Sequence, residues 1–257
     1  MALVDIRESR TNLALGEVHV WRTRLLASAE QMSLLSADER ERADRFRSQH
    51  DRSRFIAARA LLRQLLGDYL GVPPGELAFG YGAHGKPMLE SDQAIMFNLS
   101  HAADVALFAF ARETDLGVDL ESAAVLLDPE SVVQRCMSKR ERRLLHRVPP
   151  EKRDEAILAT WVRKEAVAKG SGEGLGLPLV EIGTRPGVPA SGEPVIVRSS
   201  RRDKWFVWDL PVGGGAAALA SRRREISIKL FDHPGTVIDL TQSDPLPSKD
   251  ASVSLTP

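Results

Sequence analysis

One uninterrupted run, "KRDEAILATWVRKEAVAKG" (152–170), most constrains the fold, because it has no internal glycine or proline. Such a run predicts a long helix with Gly170 as the residue that ends it. Glu165 and Lys169 are four residues apart and share a face with Trp161. A Glu–Lys pair on a helix can be an ordinary surface pair worth about 0.2–0.5 kcal/mol. Its meaning therefore depends on the rest of the chain.

A second helical region is predicted over residues 34–74. Ser36 followed by Glu39 has the spacing of a capping box, and Gly71 is a typical stop. The turn-rich residues 78–89 that follow are expected to form a loop. Residues 40–63 contain eight arginines and no lysine. Arginine is common on a solvated helix face, but its planar fork also suits phosphate groups.

Alternation of apolar and polar residues predicts strands after each helix. In "IMFNLSH" (95–101), Asn98 and Ser100 share one face, and in "LGVDLES" (116–122), Asp119 and Glu121 share one face. Further strands are predicted at residues 16–21 and 105–111, in "PVIVRS", "KWFVWDL" and "GAAALAS", and at residues 225–231. A long helix thus precedes strands twice, with a seam near residues 112–115.

Composition excludes several classes of protein. The chain is 43% hydrophobic and 27% charged, as in ordinary globular domains, and its formal net charge of zero gives no global attraction to nucleic acid or membrane. The single cysteine, Cys136, allows no internal disulfide and is expected to be a small buried residue. No signal peptide or membrane span is predicted, which favours a cytoplasmic protein. Residues 232–257, which are polar and rich in proline and serine, are expected to be a mobile tail.

Two carboxylates on one strand face need a proton or a cation to coexist. Asp119 and Glu121 therefore indicate either an exposed acidic strand face or a site for a hard cation. Mg²⁺ typically takes one or two carboxylates, several waters and substrate phosphate oxygens. Zinc is not indicated, because the six histidines are scattered without ligand spacing.

The combination of this acidic strand with the Trp161–Lys169 helix resembles the 4′-phosphopantetheinyl transferase family. "GVDLE" (117–121) matches its Gly-x-Asp-x-Glu strand, and "WVRKEAVAK" (161–169) matches its Trp-x-x-Lys-Glu-x-x-x-Lys helix. The turn "GEGLGLP" (172–178) is similar to the family's turn after that helix. "GKP" (85–87) and "FNLSH" (97–101) resemble motifs of the long, two-half members that activate peptide and polyketide synthetases, and "RF" at 45–46 with Arg54 fits their first helix.

The resemblance implies an α+β fold of two similar halves, each a long helix on a small, mainly antiparallel sheet, related by a pseudo-twofold axis. The first half (1–114) would hold the 3′-phosphate and adenine of coenzyme A, and the second (115–231) the metal and the catalytic helix. The implied reaction is Mg²⁺-dependent transfer of the 4′-phosphopantetheine arm of coenzyme A to a serine of an apo acyl or peptidyl carrier protein. Adenosine 3′,5′-bisphosphate is the other product, and a monomer is expected.

The resemblance also implies residue roles. Asp119, Glu121 and Glu165 would bind the metal. Glu165 would also act as general base, directly or through water, and Lys169 would stabilise the departing phosphate. The expected coenzyme A contacts are Arg42, Arg54, Lys86, Ser100, His101, Lys164 and Lys169, with Arg54 and His101 on the 3′-phosphate. One departure is Glu39, where some members carry a lysine.

A rival interpretation is a non-catalytic module that binds a nucleotide or RNA through the arginine-rich helix. The eight arginines favour it. The acidic constellation opposes it, because clustered carboxylates repel a polyanion unless a metal intervenes.

Overall fold

The computed structural model describes residues 12–26, 28–90, 95–125, 128–187, 193–199 and 203–233. The α-helices in these ranges are α1 (Ala37–Asp44), α2 (Gln49–Leu70), α3 (Pro129–Cys136), α4 (Lys139–Leu145) and α5 (Arg153–Ser171). The strands are β1 (Glu17–Arg24), β2 (Phe79–Tyr81), β3 (Pro87–Leu89), β4 (Ile95–Ala102), β5 (Val105–Arg112), β6 (Leu116–Ser122), β7 (Val195–Arg198), β8 (Lys204–Leu210), β9 (Gly215–Ser221) and β10 (Ser227–Asp232).

Two four-stranded sheets and one hairpin organise these strands. The first sheet has the order β10–β1–β5–β4, the second has the order β6–β9–β8–β7, and β2 pairs with β3. All pairings are antiparallel except that of β1 with β10, which is parallel. The predicted strands at 105–111 and 116–122 appear as β5 and β6.

Each long helix covers one sheet. Leu62 and Leu66 of α2 are buried against Phe108 of β5, in the same core as Phe97 and Phe110. The other long helix, α5, packs on the second sheet through a core that contains Val162, Ala166, Trp205, Val207 and Ala218. The predicted α+β architecture, a helix on a small mainly antiparallel sheet in each half, is confirmed.

The two sheets meet in a third core. Val20 and Leu107 of the first sheet are buried together with Val118, Leu120 and Leu219 of the second. Each sheet therefore uses one face for the interface between the two halves and the other face for a long helix. This arrangement places β4 of the first sheet beside β6 of the second sheet, although β5 lies between them in sequence.

The glycines at the contact of β6 with α5 explain part of the sequence pattern. A Cβ on Gly117 would overlap the Ala166 carbonyl oxygen and the backbone of Gly170, and a Cβ on Gly170 would meet the ring of Trp205. Gly170 was expected to end the helix, but α5 continues to Ser171, and the left-handed residue is Gly172, at φ 75°. Gly170 instead permits a close backbone approach of helix and strand.

Three further expectations are modified. The helical region 34–74 breaks at residues 45–48, because Ser48 caps a new helix by accepting from the Asp51 amide. Residues 78–89, expected as a loop, contain the β2–β3 hairpin. The strand predicted at 225–231 in the second half pairs with β1 of the first sheet instead.

The expected mobile tail, residues 232–257, lies outside the described residues from 234 onward. Cys136 is buried with a free thiol, as expected. Within the described ranges, no helix combines the length and apolarity that crossing a membrane requires.

Candidate active site

Polar side chains of β4 hold the edge of β6. The Val118 amide donates to Asn98 Oδ1 at 2.8 Å, and the Leu120 amide donates to Ser100 Oγ at 3.2 Å. The predicted polar face of "FNLSH" therefore points to β6 and satisfies backbone groups that no strand pairs. These bonds fix the strand that carries Asp119.

Asp119 lies in a small buried network with Lys169. Lys169 Nζ donates to Asp119 Oδ1 at 2.6 Å and to Ser100 Oγ at 2.7 Å, and Ser100 Oγ is 3.0 Å from the same carboxylate oxygen. Asp119 Oδ2 is buried without a hydrogen-bond partner. A buried carboxylate oxygen with no partner is unfavourable, so it is a position where a ligand is expected.

Two more carboxylates complete an acidic cluster. Burial, and next the charge of Asp119, raises the pKa of Glu121 to about 7. The same two causes raise the pKa of Glu165, whose Oε1 lies 3.4 Å from the indole nitrogen of Trp161. The charge of Asp119 thus raises the pKa values of both glutamates, and the charge of Lys169 lowers them.

This cluster fits a hard divalent cation. The raised pKa values show that these carboxyl groups resist ionising beside one another, and a bound cation would relieve that repulsion, while the buried Oδ2 of Asp119 has no hydrogen-bond partner. In the described part of the chain, however, no group of three carboxylate, imidazole or thiol side chains is placed so that it could hold a metal ion by itself. The donors suit a cation that also takes waters and substrate oxygens, as Mg²⁺ does.

A cavity of about 500 Å³ opens between α2, the β2–β3 hairpin and the end of α5. Among the predicted coenzyme A residues, those that line it are Arg42, Arg54, Lys86, His101 and Lys169. One acidic side chain, Asp51, lies among its lining residues. The cavity is therefore cationic, and Lys169 belongs both to it and to the acidic cluster.

Arg54 and His101 lie on the first-half side of this cavity. Arg54 Nε is 3.2 Å from Asp104 Oδ1, and Nη1 is 3.9 Å from Asp51. His101 is solvent-exposed at the cavity, but partial desolvation there, and then the charges of Lys169 and Arg54, lowers its pKa. The imidazole is thus disposed to be neutral in the free protein and to gain a proton when an anion binds.

Lys86 joins the hairpin to the second half. Its Nζ donates to the Gly170 carbonyl at 3.0 Å and to the Leu116 carbonyl at 3.4 Å, while its stem lines the cavity. Burial lowers the pKa of this ammonium. Neutral carbonyl partners leave its charge available to an anionic ligand.

Lys164 lies elsewhere, which corrects the expectation that it contacts coenzyme A. Its side chain is fully buried, and Nζ donates to Glu141 Oε2 at 2.7 Å and to the carbonyls of Cys136 and Leu179 at 2.6 and 3.1 Å. An ammonium has three protons, so these partners saturate it. Lys164 ties α5 to α4 and does not line the cavity.

Of the basic side chains that line the cavity, sequence reasoning missed two, Arg59 and His84. Arg59 is one of eight arginines in residues 40–63, and no local pattern separates it from the solvent-facing ones.

The departure at Glu39 also has a structural account, because this carboxylate is buried and accepts from Arg63 Nε at 2.7 Å. Glu39 is thus part of the wall behind the cavity.

Comparison with known families matches both halves. Residues 19–113 match the family described as "4'-phosphopantetheinyl transferase, N-terminal", and residues 115–220 match the "4'-phosphopantetheinyl transferase superfamily". The two matched segments meet at the seam between β5 and β6.

Individual relatives carry the same description. The chain is 39% identical over 182 residues to the 4′-phosphopantetheinyl transferase HetI of Nostoc sp. (strain PCC 7120), covering 68% of this chain and 77% of the relative. It is 32% identical to a putative 4′-phosphopantetheinyl transferase, slr0495, of Synechocystis sp. (strain PCC 6803), over 56% of this chain and 59% of the relative. It is 26% identical to the 4′-phosphopantetheinyl transferase Sfp of Bacillus subtilis (strain 168), over 60% and 67% respectively.

Proposed function

Since the chain belongs to the 4′-phosphopantetheinyl transferase superfamily, we propose that its cavity holds coenzyme A and its acidic cluster carries out the transfer. The first half supplies Arg42, Arg54, Lys86 and His101 to the nucleotide. The second half supplies the carboxylates and Lys169. Both halves come from one chain, so the proposed working unit is a monomer.

The observation that carries the proposal is the position of Lys169. Its ammonium lines the cationic cavity and lies 2.6 Å from Asp119 Oδ1. A pyrophosphate bound between the cavity and the carboxylates would lie beside it. Phosphoryl transfer depends mostly on positioning and neutralisation of charge, and this arrangement supplies both.

In the proposed reaction, the serine hydroxyl of the apo carrier attacks the β-phosphorus of coenzyme A. Glu165 accepts the hydroxyl proton, directly or through one water, as the new P–O bond forms. The bond to the 5′-phosphate of adenosine 3′,5′-bisphosphate breaks, and Lys169 stabilises the charge on that leaving group. In the metal-free protein, burial and the charge of Asp119 raise the pKa of Glu165 towards the operating pH, as suits a general base.

Asp119, Glu121 and Glu165 would hold Mg²⁺, which would supply neutralisation of the phosphate oxygens when bound. The unpartnered Oδ2 of Asp119 supports this assignment. Ser100 positions Asp119 and Lys169 through its hydroxyl.

Intact-mass analysis tests the proposal. The protein would be incubated with coenzyme A, Mg²⁺ and an apo carrier domain, and the carrier is expected to gain the mass of one phosphopantetheine group. The same carrier with its acceptor serine changed to alanine is the control. If the carrier that retains its acceptor serine gained no mass at any divalent cation concentration, the proposed function would be contradicted.

The rival binding-module interpretation finds less support in the arginine-rich helix itself. Arg63 is buried and holds the carbonyls of Pro74 and Leu77 at 2.9 and 3.0 Å, so it is not part of an exposed basic face. Arg52 and Arg45 are engaged with Asp44 and Glu41. An electrophoretic shift with RNA in the absence of coenzyme A would favour that rival.

A further inference from the structure

Basic residues concentrate in one short segment of the second half. Residues 135–147 contain six lysines and arginines and one acidic residue, Glu141, in a chain whose formal net charge is zero. Glu141 is buried and pairs with Lys164 at 2.7 Å, so it does not offset the charge outside. The segment ends α3, forms α4 and continues past the end of α4. Its exposed arginines, which we call the α4 basic surface, are Arg135, Arg140, Arg143 and Arg147.

The α4 basic surface faces solvent because the opposite face of α4 is buried. Glu141 and Leu145 are four residues apart and face the interior. Arg140, Arg143 and Arg147 are spaced by three and four residues, so they share the outer face of the helix and of the turn that follows it. The fold therefore presents several guanidinium groups together on one side.

These arginines lack acidic partners, unlike exposed arginines of the first half. In the part of the chain that the structure describes, no carboxylate lies within 4 Å of the α4 basic surface. Arg45 and Arg52, by contrast, pair with Glu41 and Asp44 at 2.6 and 2.8 Å. Like charges at a spacing of four residues destabilise a helix, so folding does not account for the cluster. An external acidic partner does.

The α4 basic surface adjoins the acidic cluster without entering the cavity. Lys164, which precedes Glu165, donates to the Cys136 carbonyl at 2.6 Å. Trp161, whose indole nitrogen lies 3.4 Å from Glu165 Oε1, packs on the core of α3 and α4. Burial, and next the charge of Glu165, raises the pKa of the Cys136 thiol, as expected of close neighbours. None of the four arginines lines the cavity.

We infer that the α4 basic surface is a docking surface for an acidic face of the apo carrier, next to its acceptor serine; this rests on the proposed function. The serine must reach Glu165, and a specific protein interface buries about 800 Å² on each partner, a disc roughly 16 Å in radius. Lys164 and Trp161 hold α3 and α4 against α5 beside Glu165, inside such a footprint. Opposite charges there speed the encounter and set the orientation of the carrier.

A nucleic acid fits this region less well than a carrier does. The acidic cluster next to the arginines repels a polyanion, whose charge is uniform along its length. A folded carrier can place acidic residues opposite the arginines and a neutral serine opposite the carboxylates. The surface and the cluster therefore match one partner that carries both features.

Steady-state transfer at varied carrier concentration, with saturating coenzyme A and Mg²⁺, tests the inference. The probe is an apo acyl carrier domain that bears aspartate or glutamate beside its acceptor serine. In the double variant Arg140→Glu/Arg143→Glu, kcat/KM for this carrier should fall about tenfold to a hundredfold at low salt, because attraction becomes repulsion. The turnover at saturating carrier, and the affinity for coenzyme A measured by calorimetry, should change by less than about threefold.

Two controls isolate the position of the charges. Arg223→Glu/Arg224→Glu makes the same change of charge in the exposed turn between β9 and β10 and should leave kcat/KM unchanged. A carrier whose acidic residues are changed to lysine should react poorly with the wild type, and the α4 double variant should recover at least about fivefold of kcat/KM with it. Added salt should lower kcat/KM of the wild type more than that of the variant, because salt screens the attraction.

The outcomes separate this inference from the proposed function. A wild type that modifies no carrier contradicts both. A wild type that transfers, with an α4 double variant that keeps its kcat/KM and salt dependence, overturns the docking surface alone. An equal loss in the Arg223→Glu/Arg224→Glu control, or weakened coenzyme A binding, also overturns it, because the effect is then not local to docking. So does a gel shift of single-stranded RNA that the α4 double variant abolishes while kcat/KM for the carrier is unchanged.

A milder variant applies if Arg140→Glu/Arg143→Glu lowers the melting temperature enough to prevent measurement. Arg140→Gln/Arg143→Gln removes two charges without adding carboxylates to α4. Its kcat/KM for the acidic carrier should fall about threefold to tenfold at low salt. A value equal to that of the wild type would refute the docking role.

Discussion

Lys169 Nζ lies 2.6 Å from Asp119 Oδ1, although the two residues are 50 positions apart in sequence. The contact crosses from the last turn of α5 to β6, and Ser100 of β4 joins it from the first half. The closeness of helix and strand depends on Gly117 and Gly170, which leave no room for a side chain between the two backbones. The network therefore unites both halves at the point where the proposed chemistry occurs.

Asp119→Ala is expected to abolish transfer while the fold survives, because the variant loses the buried carboxylate that Lys169 and the proposed metal share. Turnover is measured at saturating Mg²⁺, and Mg²⁺ binding is measured independently by calorimetry. Asp68→Ala, an exposed aspartate on α2, is the control. Unchanged turnover and unchanged Mg²⁺ affinity in the Asp119 variant would rule out its assigned role.

Glu165→Gln keeps the shape of the side chain but removes its charge and basicity. Loss of a general base typically costs about 10²–10⁴-fold in rate, and we expect a reduction in that range. Glu155→Gln, on the exposed first turn of the same helix, should leave the rate unchanged. A loss of less than about tenfold would make a simple helix-surface pair the better account of Glu165 and Lys169.

Lys164→Met tests the corrected role of Lys164. Breaking a buried ion pair leaves Glu141 without its cation, so the free energy of unfolding should fall by about 3–5 kcal/mol. Affinity for coenzyme A should change by less than about threefold, because Lys164 does not line the cavity. Urea denaturation and calorimetry provide the two measurements, and the exposed Lys139→Met is the control. A large loss of affinity with intact stability would restore the original assignment.

Gly117→Ala is expected to lower the free energy of unfolding by at least about 1–3 kcal/mol, because its Cβ would overlap backbone atoms that cannot move aside. Transfer should fall as well, since β6 carries Asp119. Gly213→Ala is the control, because open space surrounds that position. If thermal unfolding showed both variants equally stable, the close approach of β6 and α5 would not be required.

Local patterns predicted the strands and the capping boxes, because a period of two and a capping spacing are properties of a few neighbouring residues. They could not show which of the two lysines, Lys164 or Lys169, faces the cavity. These lysines are five residues apart and project roughly 140° apart on a helix. Because α5 is buried around most of its circumference, apolar residues surround both lysines in the sequence. Only tertiary packing shows that one lysine meets Glu141 and the other meets Asp119.

The same reason explains why Arg59 was missed. Buried and exposed arginines on one helix have the same letters, and Arg59 is distinguished only by Glu39 from α1 and by rings from α2 and β2. The pairing of β10 with β1 was likewise unpredictable, because a strand's alternation does not specify its partner. The motif resemblance, by contrast, brought Asp119, Ser100 and Lys169 together before any geometry was available.

The last prediction concerns His101, Arg54 and the 3′-phosphate. A hydrogen bond to a charged group contributes roughly 1.5–3 kcal/mol. His101→Ala and Arg54→Ala should therefore each weaken coenzyme A binding about tenfold to a hundredfold. Dephospho-coenzyme A should be nearly unaffected, because it lacks the group that these side chains contact.

His101 adds a pH dependence with a definite sign. Partial desolvation at the cavity, and then the charges of Lys169 and Arg54, lowers its pKa in the free protein, so the imidazole there is largely neutral at neutral pH. A bound phosphate favours the imidazolium and raises that pKa, so binding takes up a proton. The contribution of His101 is full below the free-state pKa and is lost as pH rises through the bound-state pKa.

The phosphate itself titrates near pH 6, but this effect is common to the wild type and to His101→Ala. The difference between the two proteins, measured by calorimetry from about pH 6 to about pH 8, isolates the imidazole. It should shrink as pH rises; a difference that is constant with pH, or equal for both ligands, would show that His101 does not contact the 3′-phosphate as an imidazolium.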